Sequence, residues 1–299
     1  MKRDKLIHLP KIVVIVGPTA SGKSSLGIKL ARNFNGEIIS ADSRQVYRGM
    51  DIGTGKVTKR EQKIIRHHLI DIISPKNIFT ADDFKKLGQK TIDNIFAQGK
   101  TPIIVGGAGF YIDVLLGRMG VAEVPPNFKL RTNLDKLTVE KLFKKFQSLD
   151  PERAKTIDHH NKRRLIRTLE IIRSLGKVPT SKSHKSLCKI IWLGLRPRNL
   201  ESRIKLRLKK RLELGMVGEV KKLLKTGVSH KRLRDLGLEY RWISKYLKSE
   251  VTKKEMEKNL YHDIVRYSKR QMTWFKRNKE IRWVKGQKEA TNLVRNFLF

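Results

Sequence analysis

The sequence predicts an α/β protein: a parallel sheet carrying a phosphate loop, a helical insertion and a helical C-terminal part. Three observations carry this. Apolar runs at Ile12–Val16, Glu37–Ser40, Ile103–Val105 and Lys189–Leu195 alternate with helical patterns. Gly17-Pro-Thr-Ala-Ser-Gly-Lys-Ser24 fits the pattern G-x-x-x-x-G-K-[ST] directly after the first of these runs. From about Phe128 to Leu175, and from Arg198 to about Arg277, apolar residues recur at three- and four-residue spacings without strand-like runs.

The first strand is predicted over Ile12–Val16, and a helix over Ser24–Asn33 follows the loop. Strand, loop and helix in that order make the motif a site rather than a chance match. Backbone N–H groups and the helix N-terminus point at phosphates. Lys23 adds a charge, and the Ser24 hydroxyl can hold Mg²⁺. The plainer reading is a Gly-rich turn before a helix. After the second strand, Thr80-Ala-Asp-Asp83 resembles a capping box opening a helix to about Ala97, closed by Gln98-Gly99-Lys100. The third strand leads into Gly106-Gly-Ala-Gly109, where backbone can approach a ligand or a helix can pack closely. Val124-Pro-Pro-Asn127 breaks the pattern. Gly176-Lys-Val-Pro179 ends the helical stretch that follows, a fourth strand resumes at Lys189, and Ile281-Arg-Trp-Val284 reads as a last short strand. The chain thus divides into a first core part (1–122), an insertion (123–186) and a core completion with C-terminal helices (187–299).

The chain has 299 residues and a net charge of +39 from 67 basic and 28 acidic residues. Residues 1–110 hold 19 basic and 9 acidic side chains, a net +10, so the remaining 189 carry +29. Between Lys162 and Arg211 there are 17 basic residues against Glu170 and Glu201 alone. Solvated helix faces usually alternate in sign, so an excess this one-sided favours a polyanionic partner over a general Lys/Arg bias. The single cysteine, Cys188, excludes an internal disulfide and a Cys-rich zinc site, and is expected as a small buried residue. No run of 18 apolar residues exists, and Met1–Pro10 lacks the apolar core of a signal peptide; a cytoplasmic location is expected, with no membrane partner.

In Ser40-Ala-Asp-Ser-Arg-Gln-Val-Tyr47, Asp42 follows a strand end beside the phosphate loop, in the crevice of an open α/β sheet. General base, metal ligand and turn-forming Asp are all open there. His67 and His68 are expected to make structural hydrogen bonds, since no further ligands cluster with them. Arg163 and Arg167 share a helix face suited to RNA, and Arg203 and Arg207 repeat the spacing; a solvated basic face is the alternative for the second pair.

Taken together, the chain resembles the tRNA dimethylallyltransferase family. The matching segments are 17–24, Asp-Ser-Arg-Gln-Val-Tyr-Arg-Gly-Met-Asp-Ile-Gly-Thr-Gly-Lys (42–56), His-His-Leu-Ile-Asp (67–71), Gly-Gly-Ala-Gly-Phe-Tyr-Ile (106–112), Asn-Lys-Arg-Arg-Leu-Ile-Arg-Thr-Leu-Glu (161–170) and Lys-Arg-Gln-Met-Thr-Trp-Phe (269–275). They span most of the chain in family order, and the 42–56 segment is the most specific. The resemblance implies a nucleotide-kinase-like P-loop core with a helical insertion that contacts tRNA. It implies transfer of a dimethylallyl group from dimethylallyl diphosphate to N6 of the adenosine 3′ of the anticodon, in tRNAs reading codons that begin with U. Gly17, Thr19, Ala20, Ser21, Gly22, Lys23 and Ser24 would hold the diphosphate, with Mg²⁺ near Ser24. Asp42 would be the base, Arg131 would stabilise charge on the diphosphate, and Asp42, Ser43, Arg44, Gln45, Arg163, Arg164, Leu165, Ile166 and Arg167 would meet the tRNA. A monomer is expected.

Two positions depart from the family pattern. Ala108 stands where a catalytic threonine is usual, so a hydroxyl is lost. Gly237-Leu-Glu-Tyr240 replaces an adjacent Gly-Tyr pair. Two other functions compete: a kinase using ATP at the same loop, and an RNA-binding protein with a decayed loop. A kinase does not need 29 net charges outside its first 110 residues, and Lys23, Ser24 and Asp42 are intact.

Overall fold

The structure is a computed structural model describing residues 9–179 and 188–299. The expected boundary at residue 186 and most of the Met1–Pro10 segment lie outside the described residues. Six strands form one parallel sheet in the order β3-β2-β4-β1-β5-β6. They are β1 (Lys11–Val16), β2 (Gly36–Ala41), β3 (His67–His68), β4 (Thr101–Gly106), β5 (Lys189–Leu195) and β6 (Arg282–Val284). β1 lies inside the sheet, with Val13 opposite both Ile103 and Ile191. Burial on both faces explains why its sequence is an unbroken apolar run rather than an alternation.

Successive side chains of β1 point to opposite faces. Val13 and Ile15 meet α1 (Lys23–Asn33) and α14 (Gln287–Leu298) through Leu26, Leu30, Phe34, Ala290 and Val294. On the other face, Ile12, Val14 and Val16 belong to the larger core. That core collects α3 (Ala81–Ala97), α4 (Gly109–Leu115), α9 (Leu200–Glu213), α10 (Met216–Lys225), α11 (His230–Leu236), α12 (Leu238–Leu247) and α13 (Lys253–Phe275). The capping box at α3 is present: Thr80 Oγ1 accepts from Asp83 N–H at 3.1 Å, and Thr80 N–H donates to the Asp83 carboxylate at 2.8 Å.

The four expected strands and the last short one form with their ends shifted by at most a residue or two. Three elements were not expected, among them α14, which follows the last strand. The helix α2 (Lys59–Ile64) is six residues long and buries nothing, so it leaves no periodic signal. The strand β3 is two histidines. Its pairing with Ile38 and Ile39 is fixed by polar contacts: His68 Nε2 meets the Glu37 carboxylate at 2.6 Å, and His67 Nδ1 meets the Ile65 carbonyl at 2.7 Å. The histidines thus bond structurally, as their isolation in the sequence implied.

The chain divides into two compact units, Met119–His184 and the rest. The smaller unit holds α5 (Phe128–Asp135), α6 (Val139–Leu149), α7 (Pro151–Ala154) and α8 (Lys162–Leu175) around Leu134, Leu142, Phe146, Leu165, Ile166 and Leu169. Leu165 is fully buried and Ile166 nearly so. Their side chains build this core and cannot meet RNA, which corrects the expectation that the whole 163–167 run touches tRNA. The helical period turns them inward while Arg163 and Arg164 stay exposed. Cys188 is half-buried.

Candidate active site

The site forms where β2, β4, β1 and β5 end side by side. β1 sends its chain towards β2 on one side, and β4 sends its chain towards β5 on the other, so the loops splay apart and leave a crevice. Two glycines let the ends converge. A Cβ on Gly106 would lie 2.1 Å from the Ala41 carbonyl oxygen. One on Gly17, at φ +148°, would lie 2.5 Å from the Leu195 carbonyl oxygen. Only glycine fits at either place.

The phosphate loop turns through Ala20 and Gly22 at positive φ and opens into α1. The first-turn N–H groups of α1 have no intrahelical acceptors, so they form the positive end of the cradle. Lys23 lies half-buried inside it. Its Nζ donates to the Pro18 carbonyl at 2.7 Å and lies 3.5 Å from Ser21 Oγ. Burial first, and the neighbouring Arg207 guanidinium second, push the ammonium down to about 7, against the opposing pull of Asp42.

Two side chains from the C-terminal helices complete the loop. Arg207 donates from Nη2 to Thr19 Oγ1 at 3.0 Å, and Arg203 from Nε to the Ala20 carbonyl at 2.9 Å. Both arginines bond the phosphate loop, a partner that neither reading of this pair named; Arg207 is half-buried and Arg203 is exposed. Burial, then repulsion from Arg211, lower Arg207 to about 10, while Glu239 and Asp42 oppose the shift; it stays charged at neutral pH. Gln271 of α13 accepts from Thr19 N–H at 2.8 Å and donates to the Gly107 carbonyl at 2.9 Å, tying the phosphate loop to the 106–109 segment.

Asp42 caps the turn after β2. Its Oδ1 accepts from Arg44 N–H at 2.8 Å and Gln45 N–H at 3.4 Å. No described residue donates to Oδ2. Forming the turn therefore occupies one carboxylate oxygen and leaves the other without a donor among the described residues. Ser43, Arg44 and Gln45 are half-buried; Arg44 donates to the Leu236 carbonyl at 2.7 Å, and Gln45 lies 2.9 Å from Ser40 Oγ. Ala108 is the N-cap of α4 and offers no side-chain cap; its N–H donates to the Ala41 carbonyl at 3.2 Å. The missing hydroxyl thus belongs to a position whose backbone is tied to Ala41, next to Asp42, and whose neighbour Gly107 is bonded by Gln271 of α13.

Residues 237–240 have an internal role. Buried Glu239 accepts from Arg211 Nη1 at 3.2 Å, and the same nitrogen reaches the Gly53 carbonyl at 3.2 Å. Tyr240 donates to Glu219, whose carboxylate also accepts from the N–H groups of Asp51, Ile52 and Gly53 at 2.6–3.0 Å. The 42–56 segment is thereby clamped to the helices behind it.

In the smaller unit, Glu170 is buried and gathers two arginines. Arg131 donates from Nε and Nη2 at 2.9 and 2.7 Å, and Arg167 donates from Nη1. Arg167 Nη2 also bonds the Val124 carbonyl at 2.8 Å. Arg131 and Arg167 are therefore engaged inside the insertion, whereas Arg163 and Arg164 are exposed at the start of α8.

For Mg²⁺, Ser24 is exposed on the first turn of α1, and no group of three or more His, Cys, Asp or Glu side chains among the described residues could cage an ion. A metal carried mainly by phosphate oxygens and water, with one or two protein ligands, fits this donor set.

Fold and site together define a P-loop transferase acting on a phosphorylated donor. The sequence model of the IPP transferase family matches residues 45–278. A tRNA dimethylallyltransferase 1 of Geotalea uraniireducens is 40% identical over 295 residues, covering 95% of this chain and 97% of the relative. The tRNA dimethylallyltransferase of Thermoanaerobacter sp. is 38% identical over 303 residues, with 96% of each covered. The crystal structure of a tRNA isopentenylpyrophosphate transferase from Bacillus halodurans aligns with a TM-score of 0.71 at 34% identity, over 96% of this chain and 95% of that one. A eukaryotic dimethylallyltransferase acting on tRNA aligns with a TM-score of 0.75 at 27% identity, over 89% and 70%. The chain belongs to the IPP transferase family, the tRNA dimethylallyltransferases.

Proposed function

We propose that the chain transfers a dimethylallyl group from dimethylallyl diphosphate to N6 of the adenosine 3′ of the anticodon, in tRNAs that read codons beginning with U. The observation that carries this reading is the meeting of three elements at one crevice: a cationic phosphate cradle, a carboxylate with one unbonded oxygen, and a strongly basic chain. The loop from Gly17 to Ser24, with Lys23 and Arg207, binds the diphosphate. As the C–O bond of the allyl group breaks, both electrons stay on the leaving oxygen, where the loop N–H dipoles and the two cations stabilise them. The adenine amine is a poor nucleophile because its lone pair is delocalised into the ring. Asp42 Oδ2 takes its proton as the new N–C bond forms. Gln271 holds the loop and the 106–109 segment in one geometry throughout.

Mg²⁺ would be held by Ser24 together with diphosphate oxygens, and it would supply further neutralisation of the leaving group. The adenosine must leave its stack to reach the crevice, at a cost of a few kcal/mol. Arg163 and Arg164 contact tRNA phosphates, and Glu170 holds the side chains of Arg131 and Arg167 within the insertion. We read the protein as a cytoplasmic monomer; no helix among the described residues is long and apolar enough to cross a membrane.

The test is incubation with unmodified tRNA and either labelled dimethylallyl diphosphate or labelled ATP. Label reaching tRNA only from the prenyl donor is the expected result. Transfer from ATP would make the protein a kinase, and tRNA binding without transfer would make it a non-enzymatic binder.

A further inference from the structure

One face of α13 meets the crevice loops in order. Trp274 packs on Gly109, where an added Cβ would lie 2.2 Å from its ring, and its Nε1 donates to the Asp113 carboxylate at 2.8 Å. Three residues earlier, Gln271 bonds the Gly107 carbonyl and the Thr19 N–H. Four residues earlier again comes Tyr267, one turn or about 5.4 Å nearer the helix start. Spacings of three and four keep these side chains in one row. The charged groups that act on the Tyr267 phenol are Asp42, Arg44, Glu239 and Arg270. The row thus runs from Gly109 past Gly107 to the neighbourhood of Asp42.

Tyr267 differs from the other tyrosines on the helices of this unit. Tyr240 donates to Glu219 at 2.9 Å and Tyr111 to the Phe79 carbonyl at 3.3 Å, while Tyr246 and Tyr261 pack against the larger core. Tyr267 is half-buried, its ring joins no hydrophobic cluster among the described residues, and its hydroxyl bonds no described residue. Arg270 lies 5.9 Å from the centre of its ring. Burial first, then the Asp42 carboxylate, hold the phenol above the ordinary tyrosine value, against the opposing pull of Arg44. It therefore keeps its proton at neutral pH and serves as a donor. A donor beside Asp42 suits an adenine edge. Adenine presents its N6 amine, which donates, next to a ring nitrogen that accepts, N1 on one side and N7 on the other. The Asp42 carboxylate and the Tyr267 hydroxyl are the complementary pair.

We propose that Tyr267 is a specificity-determining residue for the acceptor: its O–H donates to a ring nitrogen flanking N6 of the adenosine while Asp42 Oδ2 faces the amine. It rests on the reading of Asp42 as the base in prenyl transfer. The phenol keeps its proton throughout and fixes the plane of the base, so that the amine meets the carboxylate in one orientation. Flipped bases are read in this way, by hydrogen bonds to their edges and by aromatic side chains.

The test compares wild type with Tyr267→Phe on anticodon stem-loops carrying adenosine, 1-deazaadenosine or 7-deazaadenosine at the target position, with kcat/KM as the readout. The substitution removes one hydroxyl that bonds no described residue, so Tm and donor KM are expected to stay unchanged. The expected result is a loss of about three- to tenfold on adenosine, the range for one neutral hydrogen bond, and no loss on the one analogue that lacks the contacted nitrogen. Which analogue behaves so tells N1 from N7. The intrinsic reactivity of each substrate cancels between the two proteins, and the ratio between substrates does not depend on the fraction of folded protein. An equal loss on all three substrates, or no loss on adenosine, would overturn the proposal. A wild-type protein that moved no prenyl group to the adenosine stem-loop would overturn the underlying reading of the site instead.

Discussion

At the scale of single residues, the site works by dividing tasks between atoms of one side chain and charges of different ones. Asp42 spends Oδ1 on the turn and leaves Oδ2 without a donor among the described residues, as the proposed base requires. Asp42→Asn keeps an acceptor at Oδ1 and removes the base, so turnover should fall roughly 10²–10⁴-fold with tRNA affinity unchanged. Equal losses in turnover and affinity would contradict the role of base. Lys23 is poised differently. Burial and Arg207 bring it to about 7, so at pH 8 it is mostly neutral before the donor arrives. A bound diphosphate supplies the missing anion and raises it again, so binding above pH 7 takes up a proton. Donor affinity should therefore weaken as pH rises from 7 towards 9, by at most about tenfold per unit. Calorimetry at pH 8 in buffers of different ionisation enthalpy checks this; no proton uptake would contradict it. The sequence made Lys23, Ser24 and Asp42 legible because motif and strand end coincide. It left Arg207 undecided and gave Gln271 no role, because their partners lie 188 and 252 residues away along the chain. One signal for Gln271 was present. The buried stripe of α13 runs Leu260, Ile264, Ser268, Gln271, Phe275 and turns polar in its later half, with Gln271 reaching the loop.

At the scale of elements, strands buried on both faces announced themselves as apolar runs, and helices with one apolar face by their period. Two of the elements that escaped, β3 and α2, are held by polar contacts or by little burial. The edge strand β3 depends on Glu37, which is buried and joined to His68 Nε2 at 2.6 Å and to Lys100 Nζ at 2.6 Å. Burial pushes the Glu37 carboxyl up, but the bonds from Lys100 and His68 outweigh it and hold the group below the ordinary carboxylate value. A carboxylate lowered on folding contributes stability above its unfolded pKa, about 4.3, and loses it as pH falls through the lower folded value. Chemical denaturation across pH 3–7 should accordingly show stability falling on the acid side, and Glu37→Gln should flatten that fall while costing about 1–3 kcal/mol at neutral pH. An unchanged acid slope in the variant would show that the edge is held by something else. The insertion gives the complementary lesson. Its period was legible, but a run of five residues matched to RNA contained two that the same period turns into the core.

At the scale of the whole molecule, a net charge of +39 on 299 residues is an electrostatic commitment to a polyanion. Part of the basic excess in the second half is used internally, since Arg203, Arg207 and Arg211 serve the loop and its support. Enough remains exposed for tRNA affinity to fall by about 10³-fold or more between 50 and 200 mM salt, as expected when six or more phosphates are neutralised. A flat response in a filter-binding or fluorescence titration would contradict that use of the charge. The same parallel sheet could serve a kinase, so the fold leaves the donor open and the site must decide it. The most direct measurement is a crystal structure after exposure to equal concentrations of ATP and a non-reactive thiolo analogue of dimethylallyl diphosphate. The expected density shows the diphosphate between Lys23 and Arg207, with the five-carbon chain directed towards Asp42. Adenine nucleotide seated in the cradle, with the isoprenoid excluded, would contradict the assignment.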